Sequence, residues 1–156
     1  MRKSRAKERP LIPDPRYKDE QVTRFINNMM LDGKKASTRK IFYDAMDIIS
    51  EKTKEDGLEV FKKALDKCTP AVEVKSRRVG GATFQIPQEV RIARRVSLAM
   101  KWMINYSRAR KGKPMSGRLA DEIIAASRDE GGAFKKKEDT HRMAEANKAF
   151  SHFRFR

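Results

Sequence analysis

The feature that most limits how this chain can fold is its excess of positive charge. The 156 residues include 37 Lys and Arg against 21 Asp and Glu, which gives a net charge of +16 and an isoelectric point near 10.2. Such a charge repels itself in any compact state, so the fold must keep the cations at the surface and neutralise them with a polyanion. A nucleic acid or an anionic membrane is therefore the expected partner.

The sequence gives little support to a membrane as the binding partner. No run approaches the roughly 18 apolar residues of a spanning helix, and residues 1–15 lack the apolar centre of a secretory signal. The single cysteine, Cys68, excludes an internal disulfide framework and fits a reducing compartment. We expect a cytoplasmic protein in which Cys68 packs as a small apolar side chain.

The balance of apolar and charged residues sets the expected architecture. Apolar residues make up 38% of the chain and charged residues 37%, which favours one modest core with basic extensions. We predict a single, mainly α-helical domain over residues 1–156, with a six-helix, bundle-like body and one protruding β-hairpin. Its parts are a basic arm over 1–18, helices one to three within 19–71, the hairpin over 72–90, helices four to six within 91–150 and a tail over 151–156.

Apolar periodicity predicts the first three helices. From Asp19 apolar residues recur at helical spacing, and Gly33 is the expected C-cap. A third helix is predicted to begin at Asp56, whose carboxylate can cap it, and the second is predicted from Ser37 to Lys54. The inward residues of the second helix are expected to be Ile41, Ala45, Ile48 and Ile49.

The last three helices follow from the same spacing. The fifth is predicted from near Ser116 to Asp129 and ended by Gly131-Gly132, and the sixth from about Glu138 to Phe150, with Met143 buried. The fourth is predicted over roughly 91–110, with the inward residues Ile92, Val96, Ala99, Met100, Met103 and Ile104.

Between Val72 and Val90 the pattern changes, because β-branched residues flank Gly80-Gly81 and predict a hairpin. A two-residue turn would pair Phe84 with Arg77 and spread the apolar side chains over both faces. A three-residue loop, Gly80 to Ala82, would gather them on one face, and we prefer it for that reason.

The cations are unevenly placed. Residues 75–118 hold twelve basic residues and one acidic residue, a net +11, whereas residues 44–73 hold five basic and eight acidic residues, a net −3. Arg91, Arg94, Arg95 and Lys101 are predicted to form a stripe on the fourth helix, beside its buried face and at the foot of the hairpin. Together with the arm, this stripe predicts a phosphate-binding surface, and we expect the hairpin to project as an RNA-contacting finger rather than to lie flat.

Several separate basic elements suit a folded RNA, which proteins recognise largely by shape. An architectural DNA-binding protein with a basic β-arm is the alternative. Enzyme motifs such as a Walker loop, GxSxG or HExxH do not occur, and we expect no enzymatic activity and no cofactor. His141 and His152 lack a cysteine cluster, so no metal site is expected, and Asp139 or Thr140 is expected to cap the sixth helix beside His141.

Three stretches of the chain resemble the family of bacterial ribosomal protein seven of the small subunit. They are Phe25-Ile26 with Gly33-Lys34-Lys35 and Ile41-Phe42, the stretch from Val72 to Ala82, and the stretch from Lys136 to Phe150. The likeness covers essentially the whole chain. It implies a six-helix body with a hairpin after helix three, and early binding of the 3′ major domain of the small-subunit rRNA, which nucleates the head near the exit-site tRNA and mRNA.

The resemblance also implies roles for particular residues. Residues expected to bind rRNA are Arg2, Lys3, Arg5, Lys34, Lys35, Arg77, Arg78, Arg91, Arg94 and Arg95. Residues expected near the exit-site tRNA are Arg78, Gly80, Gly81, Ala82 and Thr83. The tail, with Phe150, Phe153 and Arg154, would meet neighbouring small-subunit proteins, nine and eleven, and no homo-oligomer is expected. Phe84 and Phe153 stand where the family pattern has tyrosine.

Overall fold

The computed structural model describes residue 6 and residues 9–153. Within them six α-helices and one antiparallel hairpin between the third and fourth helices confirm the predicted architecture. None of these helices is long and apolar enough to cross a bilayer. In order, the elements are α1 Glu20–Met29, α2 Lys35–Thr53, α3 Gly57–Cys68, β1 Val72–Val79, β2 Ala82–Glu89, α4 Ile92–Ala109, α5 Met115–Ser127, α6 Gly131–Ala146 and a 3₁₀ helix Lys148–Phe153.

Helix α5 lies at the centre of the body and packs against α2, α3, α4 and α6. Beside it, Phe25, Phe42 and Phe61 form an aromatic cluster with ring centroids 5.1 to 5.6 Å apart. All three rings are fully buried, and burial of such side chains is the main source of stability in a small core. Cys68 is also fully buried, as predicted, and its burial raises the pKa of its thiol to about 12.

The start of α3 agrees with its predicted cap, because the carboxylate of Asp56 accepts a hydrogen bond from the N–H of Leu58. The carboxylate of Asp19, which was not predicted as a cap, accepts one from the N–H of Gln21 at the start of α1. The predicted C-cap of α1 is wrong, because α1 ends at Met29 and the chain leaves it in an extended conformation. Gly33 instead lies in the turn into α2, where its positive φ of 71° is needed.

The buried face of α2 differs from the prediction by about one residue. Ala45 and Ile49 are buried as expected, but Ile41 and Ile48 are only half-buried. The inner positions are taken by Thr38, Phe42 and Met46, because the ring of Phe42 is needed to complete the aromatic cluster.

A similar error occurs at the start of α4, where Ile92 was expected to face inward. Its side chain is 78% exposed, because no neighbouring element covers that side of the first turn in the described structure. The core contacts of α4 begin with the half-buried Val96 and become complete at Ala99 and Met100.

Helix α6 begins seven residues before its predicted start at Glu138. Gly131 and Gly132 open it directly after α5, and the ring of Tyr106 packs against Gly132 so closely that a Cβ there would lie 2.3 Å from the ring. This contact explains why a helix can begin at a residue pair that is otherwise typical of a loop. As a consequence Met143 is 43% exposed rather than buried, and Phe150 belongs to the 3₁₀ helix.

The hairpin has a two-residue turn, so the preferred three-residue loop is wrong. Val79 pairs with Ala82 and Arg77 with Phe84, and both Gly80 and Gly81 have positive φ, of 57° and 91°. Such turns match the right-handed twist of the strands. Apolar side chains occur on both faces, and near the base Ile86 on one face and Pro87 on the other are buried. Both α6 and the 3₁₀ helix contact the ribbon.

The hairpin is packed at its base and exposed at its tip. Ile86 and Pro87 are buried, and the ring of Phe84 lies 5.1 Å from that of Phe150. In contrast, Arg78 and Gly80 to Thr83 are exposed. The ribbon therefore neither lies flat along its whole length nor stands free of the body.

We expect replacement of Gly132 with Ala to lower the free energy of unfolding by about 1–3 kcal/mol, because the new Cβ must displace the ring of Tyr106. Gly117→Ala is the matched control, since its Cβ would meet Lys113 at an ordinary 3.5 Å. The control should change stability by less than about 1 kcal/mol, in the stabilising direction. Urea unfolding followed by circular dichroism measures both, and equal values would contradict the close packing of Tyr106 against Gly132.

Candidate nucleic-acid interface

Three arginines lie where α4 begins, at the foot of the hairpin, and we call them the hairpin-foot cluster: Arg91, Arg94 and Arg95. The guanidinium of Arg94 makes a two-pronged ion pair with Glu73 of β1, with the closest N–O distance 2.9 Å. The Nε of Arg95 donates a 2.7 Å hydrogen bond to the carbonyl of Val90. These contacts confirm that the basic stripe of α4 adjoins the hairpin.

The members of the hairpin-foot cluster differ in how free their charge is. Arg91 is exposed and has no ion pair or hydrogen bond to its side chain within the described structure. Arg94 shares its charge with Glu73, whose hydrogen bond raises the pKa of the guanidinium, although 55% of its side chain remains exposed. Arg95 is half-buried and holds the chain that joins β2 to α4. Arg91 is therefore the member best placed to meet a phosphate.

A groove of about 240 Å³ separates α1 from α4 next to this cluster. Its polar lining includes the amides of Asn27 and Asn28 and the hydroxyl of Ser97, with Arg24 from α1. Amides and hydroxyls both donate and accept hydrogen bonds, which suits contacts with the sugars and phosphates of a nucleic acid. Sequence reasoning missed this groove, because its sides come from helices that are distant in the chain.

The hairpin tip carries two arginines with different surroundings. Arg77 and Arg78 are consecutive in β1, so their side chains point to opposite faces of the ribbon. Arg78 is exposed and shares its face with Thr83, whereas Arg77 is half-buried and shares its face with Phe84. The exposed surface around Gly80-Gly81 thus has one arginine at its edge.

A second basic region lies at the start of α2. Lys34 precedes the helix, Lys35 is its first residue, and both are exposed. Lys34 lies 3.9 Å from Asp32, a distance at which an exposed pair contributes little. Helix α1 packs against both α2 and α4, so one rigid body carries this region and the hairpin-foot cluster.

Many cations between residues 75 and 118 are not available to a partner. Arg118 donates to the carbonyls of Arg108 and Arg110, at 3.1 and 3.0 Å, and so closes the end of α4. Arg108 in turn donates to the carbonyl of Met29 at 2.9 Å. The charge count of this segment therefore overstates its free positive charge. Basic residues of the segment that have no ion pair or hydrogen bond to their side chains in the described structure are Arg78, Arg91, Lys101 and Lys111.

The most deeply buried ion pair joins Arg110 to Glu122 at 2.7 Å. The side chain of Glu122 is 1% exposed, and its other oxygen accepts the N–H of Ala133 at 2.8 Å. One carboxylate thus ties the end of α4 to α5 and to the start of α6. Nothing in the sequence pattern distinguished Arg110 from its neighbours.

Residues 14–18, which belong to the predicted basic arm, pack on the body. The carboxylate of Asp14 accepts hydrogen bonds from the hydroxyl of Tyr43, at 2.8 Å, and from the N–H of Arg16, at 3.1 Å. Arg16 lies over the rings of Tyr17 and Tyr43 and pairs with Asp47. The feature of the sequence that could have predicted this packing is Pro13-Asp14-Pro15, which is typical of an ordered turn.

His141 lies inside α6 and not beside its cap, so the predicted capping by Asp139 or Thr140 is wrong. Its Nε2 accepts a 3.1 Å hydrogen bond from the N–H of Ala71, next to the base of the hairpin. Burial, with help from Lys137, lowers the pKa of the imidazole and favours the neutral form that can accept. His141 therefore has a structural role at this site.

The remaining predicted site residues divide into two groups. Arg2, Lys3, Arg5 and Arg154 lie outside the described residues. Phe150 lies against Phe84, and Phe153 ends the 3₁₀ helix. Within the described ranges no group of three or more His, Cys, Asp or Glu side chains could hold a metal ion.

A helical body that carries exposed arginines and lysines at a hairpin foot, at a hairpin tip and at a helix start defines a nucleic-acid-binding protein. Comparison with known proteins makes this more specific. Residues 1–148 match the family model described as ribosomal protein S7p/S5e. The chain belongs to this ribosomal protein family.

Individual proteins with high sequence identity support the same family assignment. The chain is similar to the small ribosomal subunit protein uS7 of Cytophaga hutchinsonii, with 59% identity over 99% of this chain and 100% of the relative. The same protein of Christiangramia forsetii is 60% identical over 99% and 100%, and that of Oleidesulfovibrio alaskensis is 56% identical over 99% of each chain. Family membership confirms the predicted structural, RNA-binding role in the ribosome and the expectation that the chain is not an enzyme.

Replacement of Arg110 with Ala should lower the free energy of unfolding by about 1–3 kcal/mol, because it leaves the buried Glu122 without its charged partner. The neighbouring Lys111 is exposed and unpaired within the described structure, so Lys111→Ala should stay within about 0.5 kcal/mol of wild type. Denaturant unfolding compares the two variants. A destabilised Lys111→Ala variant together with an unchanged Arg110→Ala variant would contradict the role of Arg110 as the charged partner of Glu122.

Proposed function

We propose that this protein binds the 3′ major domain of the small-subunit rRNA early in assembly and so nucleates the head of the subunit. It acts in cytoplasmic ribosomes as a single rRNA-binding domain over residues 1–156. The observation that carries this proposal is the hairpin-foot cluster on a chain of this family, because its arginines lie where α4 meets β1 and the connection from β2. A surface of that shape suits RNA that folds around the protein.

The contacts that support rRNA binding are of two kinds. Exposed cations without internal partners, such as Arg91 and Lys35, can give salt-dependent contacts with phosphates. The amides in the groove between α1 and α4 can add hydrogen bonds that fix the position of the RNA. Arg2, Lys3 and Arg5 are proposed to extend this surface, together with Lys34, Arg77, Arg78, Arg94 and Arg95.

The tip of the hairpin is proposed to lie near the exit-site tRNA and the mRNA. Arg78 and Gly80 to Thr83 are exposed, and the absence of side chains at Gly80 and Gly81 allows a close approach of another backbone. The base of the hairpin is packed on the body through Phe84 and Ile86, so the position from which the tip projects is fixed. The tip and the hairpin-foot cluster would then serve different RNA molecules.

The C-terminal segment is proposed to contact neighbouring small-subunit proteins, nine and eleven. Phe150 is half-buried against Phe84, so part of its ring remains available, and Phe153 and Arg154 would extend the contact. Because the 3₁₀ helix contacts β2, this protein contact would adjoin the hairpin rather than the RNA groove.

The test is the binding of purified protein to a head-domain rRNA fragment at several salt concentrations. The logarithm of affinity should fall steeply and linearly with the logarithm of salt concentration, and Arg91→Ala should reduce that slope by about 1, the value for one lost phosphate contact. Lys63→Ala is the matched control, since Lys63 is an exposed cation of α3 with no ion pair in the described structure. A flat salt dependence, or equal binding of duplex DNA, would contradict the proposed function.

The division between tip and body gives a further prediction. Removal of residues 78, 79, 82 and 83 shortens the hairpin by two pairs and keeps the Gly80-Gly81 turn, because Arg77 and Phe84 already face each other. This variant should retain rRNA affinity better than a variant lacking residues 1–10. Filter binding measures both, with circular dichroism as the control for folding. Equal losses of affinity would show that the tip and the arm serve the same RNA.

A further inference from the structure

A cavity of about 310 Å³ lies between the segment that precedes α1 and the start of α2. One side is formed by Ile12, Pro13 and Pro15, and the helices contribute Ile26, Lys35 and Arg39. We call it the arm slot. Its volume is at the lower end of the roughly 300–1,000 Å³ that is usual for small-molecule sites, so it suits a small ligand and is too small for a helix.

The walls of the arm slot are held in place by hydrogen bonds. The hydroxyl of Thr23 donates to the carbonyl of Ile12 at 3.0 Å, and the carboxylate of Asp14 is fixed by the hydroxyl of Tyr43 at 2.8 Å. A slot held in this way exists before its ligand arrives, which reduces the entropy cost of binding. The side chain of Ile12 is nevertheless 78% exposed, so the apolar wall extends to the mouth.

The accessible charge of the arm slot is positive. Asp14 is 2% exposed and its oxygens are used by the protein. Arg39 is 38% exposed; its Nε lies 3.9 Å from Asp14, and its guanidinium makes no hydrogen bond within the described structure. Lys35 is exposed, and its side chain has neither an ion pair nor a hydrogen bond there. Cationic donors at the edge of an apolar slot suit a ligand that has an anionic group and an apolar part.

We propose that the arm slot binds one unstacked nucleotide of the RNA, with its base against Ile12, Pro13 and Pro15 and its phosphate at Lys35 and Arg39. This proposal rests on the proposed function, because it requires a bound RNA. A nucleotide satisfies both halves of the slot, since its base has an apolar face and its phosphate is a strong acceptor for a guanidinium. The slot would thereby hold one nucleotide of the RNA by its base, whereas phosphate contacts carry no information about the base.

Photocrosslinking in the full-length protein tests the proposal. Ile12→p-benzoylphenylalanine places a photoreactive ring at the mouth of the slot, and irradiation with a head-domain rRNA fragment should give a crosslink at one unpaired nucleotide, mapped by reverse transcription. The same substitution at Glu51, an exposed residue of α2, is the control and should give no crosslink at that nucleotide. Crosslinks spread over duplex RNA, their absence, or a crosslink to the protein's own residues would overturn the proposal.

Affinity gives an independent measure. Arg39→Gln should lose most of the crosslink and weaken rRNA binding about tenfold, as expected for the loss of a charge-assisted hydrogen bond. Lys40→Gln removes the same charge from an exposed neighbouring position and should leave the crosslink unchanged. If thermal unfolding shows that Arg39→Gln is unfolded, Lys35→Gln carries the comparison. Wild-type protein that fails to bind rRNA would refute the proposed function, whereas binding without the single crosslink would refute the arm slot alone.

Discussion

The packing of four helices around α5 is the constraint on which the rest of the structure depends. Leu119, Ala120 and Ile123 are fully buried, and the carboxylate of Glu122 is buried beside them, where it pairs with Arg110 and accepts the N–H of Ala133. A buried charge is tolerated only when it is fully partnered, so this carboxylate fixes the end of α4 and the start of α6 relative to α5. Through α4 it positions the hairpin-foot cluster, and through α6 it positions the side of the hairpin.

The cations of this chain have two distinct uses. Arg118 donates to carbonyls at the end of α4, whereas Arg91 and Lys35 face outward without internal partners in the described structure. Arginine suits both uses, because its five donors can bind carbonyls and carboxylates as well as phosphates. A chain with a small core gains rigidity from the first group and keeps the second for RNA. The charge count of a segment is thus a poor measure of its interface.

The hairpin and the segment before α1, which both face outward, are also held in place by contacts with the body. The hairpin is held at its base by Phe84 against Phe150 and by the contact of His141 with Ala71, while its tip stays exposed. The segment before α1 is held by Asp14, and it forms the wall of a slot beside the start of α2. In both places a hydrogen bond or an aromatic contact holds the extended segment against the body. The segment then presents a surface of fixed shape, which favours recognition of RNA by shape.

The sequence by itself determined the class of fold, the order of its elements and the kind of partner, because helical periodicity, the Gly80-Gly81 pair and net charge are properties of neighbouring residues. Only the tertiary structure decided the hairpin register, since apolar side chains lie on both faces of the ribbon and no single apolar face dictates it. Packing also decided the start of α6, because Tyr106 requires Gly132, and it decided which arginines are internal, because the partner of Arg110 is Glu122 on the next helix, twelve residues away. Contacts between residues of different helices leave no local pattern, so such features could not have been predicted from the sequence.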